Sequence, residues 1–293
     1  MPLSPAPWPD DHVPLIAEGG CARLLGDGIV YASRGLDTWT VRHAATVVVA
    51  ATPREIAFHT AQGCVQGRLL VVRPLVPKRL LALQAPLVLI DLEPSHPLYR
   101  CFLRAPDDAR APGTCALPLE QHPALAALAA GFTSGRLRGP AVDQAVEQAL
   151  LELVRHFPAP PPLDARVARM RVLLDTEPTL SLAAVARAVG VSAHRASQLF
   201  SPNLGLPWRR VVLSAKIRRA GRYMGSGRRL TDVAQAAGFS DSAHFARVWI
   251  QSYGASPSGF FPAARTAMDA LALPDWRRQR QAGHTAPGLR AGR

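Results

Sequence analysis

The sequence predicts an α+β chain: an N-terminal β-sandwich or small barrel with a helical appendage, then an all-α domain holding two helix-turn-helix motifs joined by a long helix. Three observations predict it. The hydrophobic pattern changes after about Glu93 from short Val/Leu/Ile-rich runs to helical spacing. A proline run, Phe157-Pro-Ala-Pro-Pro-Pro-Leu163, then divides the chain. Finally, the net charge of +13 lies wholly beyond that run: 14 Lys and Arg face 14 Asp and Glu up to Pro162, but 20 face 7 from Leu163 onward.

At 293 residues and 48% hydrophobic, the chain has enough apolar material for two cores, which excludes a disordered or fibrous protein. Its longest nearly uncharged runs, such as Thr46–Pro53 and Ala85–Ile90, fall far short of the ~20 residues a membrane span needs. The start shows no basic and apolar signal pattern. Cys21, Cys64, Cys101 and Cys115 are scattered without a Cys-x-x-Cys pair, so a reducing cytoplasm is the expectation.

Residues 1–14 are Pro-rich and read as a loose arm. Seven strand candidates follow: Ala22–Leu25, Gly28–Ser33, Thr38–Ala50, Glu55–His59, Cys64–Arg73, Lys78–Gln84 and Leu87–Leu92, punctuated by Gly and Pro. Short strands at regular spacing suggest a sandwich or barrel. Pro123–Phe132 and Pro140–Phe157 read as helices. In the second, Val142, Val146, Ala149 and Leu153 form a stripe that either packs on the sheet or makes a homodimer seam through 140–157. Four prolines in the divider favour a stiff spacer, giving domains 1–157, linker 158–163, domain 164–270 and a basic, disordered tail 271–293.

The basic half carries a duplication. Val185-Ala-Arg-Ala-Val-Gly-Val-Ser192 matches Val233-Ala-Gln-Ala-Ala-Gly-Phe-Ser240 at a separation of 48 residues; Phe200 and Gly205 match Trp249 and Gly254 at 49. One extra residue therefore enters the second copy just after its serine. In each copy a cap (Ser181; Thr231) precedes a short helix, and a glycine (Gly190; Gly238) makes a left-handed turn. An apolar residue (Val191; Phe239) then plugs the angle, and a second serine (Ser192; Ser240) caps the following helix, Ala193–Phe200 or Asp241–Ser252. Trp208–Met224, flanked by Pro207 and Gly225, reads as a rod of roughly 26 Å between the copies. Such a rod could set two reading helices about one DNA turn apart, ~34 Å.

Two copies in register inside the only basic segment point to double-stranded DNA as partner. Base-reading side chains would leave the outward face of each second helix: His194, Arg195, Ser197 and Gln198 in one, Ser242, Ala243, Ala246 and Arg247 in the other. Gln198 suits adenine and Arg247 suits guanine, whereas Ala243 and Ala246 can only touch a thymine methyl. Phosphate contacts fall to Arg209, Arg210, Lys216, Arg218, Ser192 and Ser240.

These residues resemble the AraC/XylS family of bacterial transcription regulators. The resemblance covers about Leu180 to Phe260 and is most specific from Val233 to Trp249, followed by Tyr253-Gly-Ala-Ser-Pro257. Trp249, Phe261 and Ala196 depart from the family's usual Phe, Arg and large aliphatic. The N-terminal half resembles the family's cupin-like sensor through Leu70–Ala82 and Val88–Pro94, with Lys78 where many relatives carry His. The resemblance implies a regulator, an activator more often than a repressor, that works with RNA polymerase and answers a small-molecule effector at the sensor. No effector-binding residues can be named; His43, Trp39 and His59 are merely the polar candidates.

A lone histidine does not make a metal site, so no metal, no cofactor and no catalytic residues are expected. The alternatives are a non-specific architectural DNA-binding protein, and a cupin-type or repair enzyme fused to a DNA-binding domain. Redox sensing through Cys101 and Cys115 is a further one. The expected location is the cytoplasm, on the nucleoid when bound to DNA.

Overall fold

The computed structural model describes residues 22–33, 38–81, 86–224, 228–258 and 260. The Pro-rich start, Cys21, Phe261 and the basic tail lie outside the described residues. Among the described residues, ten strands form two antiparallel sheets. The larger runs β1 (Ala22–Leu25), β2 (Gly28–Ser33), β9 (Leu87–Leu92), β4 (Ala45–Ala50), β7 (Leu69–Val72), β10 (Thr114–Leu117); the smaller runs β3 (Trp39–Thr40), β8 (Lys78–Leu81), β5 (Ile56–His59), β6 (Cys64–Gly67).

Both faces of the large sheet are covered, which explains why β2, β4, β7 and β9 read as continuous apolar runs rather than alternating ones. Ile29, Tyr31, Val48, Leu70 and Leu89 share a core with Ile56, Phe58 and Leu80 of the smaller sheet. Val30, Val47, Val49, Leu69, Val71 and Ile90 pack with the helices α1 (Tyr99–Phe102), α2 (Pro123–Thr133) and α3 (Pro140–Val154). Val142, Val146, Ala149 and Leu153 are buried in that second core, so the stripe on α3 is consumed within the chain and is not free to serve as a seam.

Two expected strands split. Thr38–Ala50 breaks into β3 and β4, and Cys64–Arg73 into β6 and β7, each pair lying in different sheets. A chain corner between sheets preserves apolar content, so composition alone does not reveal it. Strand β10 and the four-residue α1 are additions to the expected list.

Beyond the prolines the described residues form helices α4 (Ala165–Thr176), α5 (Leu182–Ala188), α6 (Ala193–Leu204), α7 (Trp208–Met224), α8 (Leu230–Ala237) and α9 (Ser242–Tyr253). Asp164 caps α4 by accepting from the Arg166 amide at 2.8 Å. Helix α6 runs past the expected end at Phe200, through Pro202 to Leu204. Buried Leu204 holds that last turn down, and Gly205 ends it at φ 65°. The two halves are in contact: Phe245, Trp249 and Tyr253 of α9, together with Phe260, join the core between the sheets.

Candidate nucleic-acid interface

Helices α5 and α6 meet at Gly190, whose φ of 73° is the left-handed value the turn needs. Ser181 caps α5 and Ser192 caps α6, accepting from the amides of Ala184 at 3.2 Å and Arg195 at 3.1 Å. Ala196, Leu199 and Phe200 face inward, and Phe200 meets Trp208 edge-on at 5.0 Å. That packing leaves His194, Arg195, Ser197 and Gln198 together on the exposed face. His194 Nε2 and Gln198 Nε2, one turn apart, lie 2.9 Å from each other.

The second pair differs at its caps. The residue preceding α8 is Arg229, with no side-chain cap, and Thr231 lies inside the helix. Asp241 rather than Ser240 caps α9: its carboxylate accepts from the His244 amide at 2.6 Å, while Ser240 donates to it at 2.9 Å. The extra residue of the second copy therefore moves the cap one place along the chain. The His244 amide and the Ser240 hydroxyl hold the Asp241 carboxyl below the usual carboxylate range. Gly238 turns at φ 87°, and a Cβ there would stand 2.7 Å from the Thr179 methyl. Phe245, Val248 and Trp249 are buried, which leaves Ala243 and Arg247 exposed and Ser242 and Ala246 half-exposed.

Helix α7 spans the two pairs and sorts its cations by face. Arg209 is exposed. Lys216 is half-buried, with Nζ 6.0 Å from the Phe239 ring. The others turn elsewhere. Arg218, 8% exposed at its side chain, forms ion pairs with Asp27 and Asp175 and donates to Ser95 Oγ. Arg222 donates to the Gly26 carbonyl at 2.7 Å. Arg210 lies near His43, where burial, with help from this cation, pushes the imidazole down to about 4. Arg218 thus serves contacts with the N-terminal half, while the exposed Ser240 bonds to Asp241.

In the N-terminal half, sequence reasoning missed a buried polar cluster. The Arg42 guanidinium meets both Asp91 oxygens, at 2.8 and 2.9 Å, and Thr46 adds a 2.8 Å bond to the same carboxylate. Lys78 is buried within range of both charges; burial first, then Arg42, pushes its ammonium down to about 7. Asp91 carried the signal, as a single charge inside the apolar run Leu87–Leu92. His43 is buried, whereas Trp39 and His59 are exposed. Burial raises the thiols of Cys101 and Cys115, the latter to about 11, which favours the thiol over the reactive thiolate.

Residues 185–262 match the family model of a helix-turn-helix domain. Among solved structures, the chain resembles ToxT from Vibrio cholerae O395, at 12% identity over 83% of this chain and 97% of that one, with a TM-score of 0.54. An unsaturated-fatty-acid-bound ToxT from Vibrio cholerae strain SCE256 matches at 11% identity over 82% and 93%, TM-score 0.51. ToxT from strain O395 bound to (E)-4-(8-methylnaphthalen-1-yl)but-3-enoic acid matches at 10% over 83% and 98%, TM-score 0.51. No curated protein matches the chain.

Proposed function

We propose that the chain is a DNA-binding transcription regulator of the AraC/XylS family and that it reads two successive major grooves with α6 and α9. One observation carries this reading. Two helices of the same repeat, capped at equivalent positions, each keep one polar or small-residue face exposed while their apolar faces are buried. His194, Arg195, Ser197 and Gln198 read one half-site. Ser242, Ala243, Ala246 and Arg247 read the other, with Arg247 as its main hydrogen-bonding group. Arg209, Lys216 and Ser192 meet phosphate.

The domains are 1–157 and 164–270. The chain works in the cytoplasm as an activator in contact with RNA polymerase, as its family does more often than not. A dimer along 140–157 would use the outer face of α3, with Gln144, Gln148 and the exposed Leu151, because the apolar stripe is occupied. Control by a small effector draws support from the organic acids bound to ToxT and from the buried cation Lys78, a group of the N-terminal half suited to a carboxylate.

Footprinting the full chain on genomic fragments tests the regulator reading. Discrete protected sites of ~20 bp are expected, about two turns of duplex. Diffuse coverage would instead assign the protein to architectural DNA binding.

A further inference from the structure

The two reading helices end in the same way. Asn203 and Ser252 are 49 residues apart, the separation that relates Phe200 to Trp249 and Gly205 to Gly254. After each, a left-handed glycine closes the helix: the Gly205 amide bonds to Ser201 O at 2.9 Å and the Gly254 amide to Ile250 O at 2.7 Å. Carbonyls in a last helical turn have no partner within the helix and attract cations. Here each is taken by an arginine from the N-terminal half. Arg100 Nε of α1 donates to Asn203 O at 2.8 Å, and Arg42 Nε donates to Ser252 O at 3.0 Å.

Arg42 is fixed by Asp91, its carbonyl accepts from the Leu75 amide at 2.7 Å, and the preceding Val41 amide donates to Gln251 O at 2.9 Å. Arg100 is 9% exposed and forms no ion pair among the described residues. The Asn203 side chain accepts from the Asp164 amide at 3.1 Å, tying the end of α6 to the start of α4. Helix α7 between the readers is attached to the same half through Ser214 to Glu93, Arg218 to Asp27 and Arg222 to Gly26.

We propose that Arg42 and Arg100 are positioning residues for DNA recognition, fixing the separation and angle of the two readers by holding equivalent carbonyls against the N-terminal half. The N-terminal half then sets the half-site spacing the protein accepts, without touching a base. The proposal rests on the two-groove reading.

The test uses the full chain and a duplex selected from a random-sequence library by the wild-type protein. One or two base pairs are then added or removed between its half-sites, at fixed salt. Each base pair shifts one half-site by roughly 3.4 Å and a tenth of a turn. Wild type should lose about tenfold or more in affinity per base pair. Arg100→Gln and Arg42→Lys, which keeps a cation beside Asp91, should each flatten that profile to about threefold or less. Arg100→Gln unpairs no described carboxylate, so it remains informative if Arg42→Lys fails to fold. Variants that weaken binding equally at every spacing would overturn the proposal and leave the two-groove reading intact. A wild-type footprint over a single half-site, or one indifferent to spacing, would overturn both.

Discussion

Ser214 of the spacer helix α7 donates its hydroxyl to the carboxyl of Glu93, a residue of the N-terminal half that is 6% exposed. Burial, only partly offset by that hydroxyl and by Arg218, pushes the Glu93 carboxyl up to about 7. A carboxyl raised in the folded state stabilises the fold while it is neutral. Its contribution is fully present below its unfolded value near 4.5 and fades as pH climbs through 7. Glu93→Gln should therefore be more stable than wild type at pH 8, by about 1–3 kcal/mol, and should converge on it at pH 4.5. Thermal melts of both proteins across that range check this; a constant difference would show that Glu93 is not the titrating group.

Arg247→Ala and Arg209→Ala should part company on DNA. The first removes a base contact, so it costs about 1–3 kcal/mol on the selected duplex and little on a scrambled one. The second removes a phosphate contact, weakens both duplexes alike and lowers the magnitude of the log K against log salt slope by about 0.9. Binding isotherms at several salt concentrations distinguish them. Equal losses on both duplexes for both variants would refute the assignment of roles.

Asp241 does for α9 what Ser192 does for α6, and its charge adds a second consequence. Asp241→Ala removes the cap and should lower the melting midpoint by about 2–4 °C. Asp241→Asn keeps an acceptor for the His244 amide while removing an anion from the reading end of the helix. It should melt close to wild type and bind DNA more tightly, most clearly at low salt. Ser240→Ala should leave stability nearly unchanged. If Ser240→Ala melted lower than Asp241→Ala, the cap would belong to the serine after all.

Local chemistry made much of this legible in advance. Gly190 and Gly238 could be identified as turn residues because a left-handed backbone selects glycine, and the outward residues of α6 and α9 followed from helical period alone. Long-range partners were not legible. Arg218 looks like any basic residue on a basic helix until the fold brings Asp27 beside it, 191 positions earlier in the chain. Ser240 looked like a cap because it aligns with Ser192 before the inserted residue, whereas the helix geometry counts from after it. The apolar stripe of α3 could not by itself choose between its own core and a second chain. Asp91, by contrast, announced a buried partner without naming Arg42.

Lys78 supplies the final prediction. A buried ammonium pushed down to about 7 stabilises the fold only while neutral, so its contribution is present above its unfolded value near 10.5 and is lost as pH falls through 7. At and below neutral pH this lysine should therefore destabilise the N-terminal half, and Lys78→Met should raise the melting midpoint at pH 6 while changing it little at pH 10. This dependence is opposite in sign to that of Glu93. A cation retained where methionine packs better is explained if an anion joins it. On the effector reading, an unsaturated fatty acid such as oleate should raise the wild-type midpoint at pH 6 and leave Lys78→Met unmoved. Equal shifts in both proteins would place any carboxylate site elsewhere, and a lower midpoint for Lys78→Met at pH 6 would mean that the ammonium already has its partner within the fold.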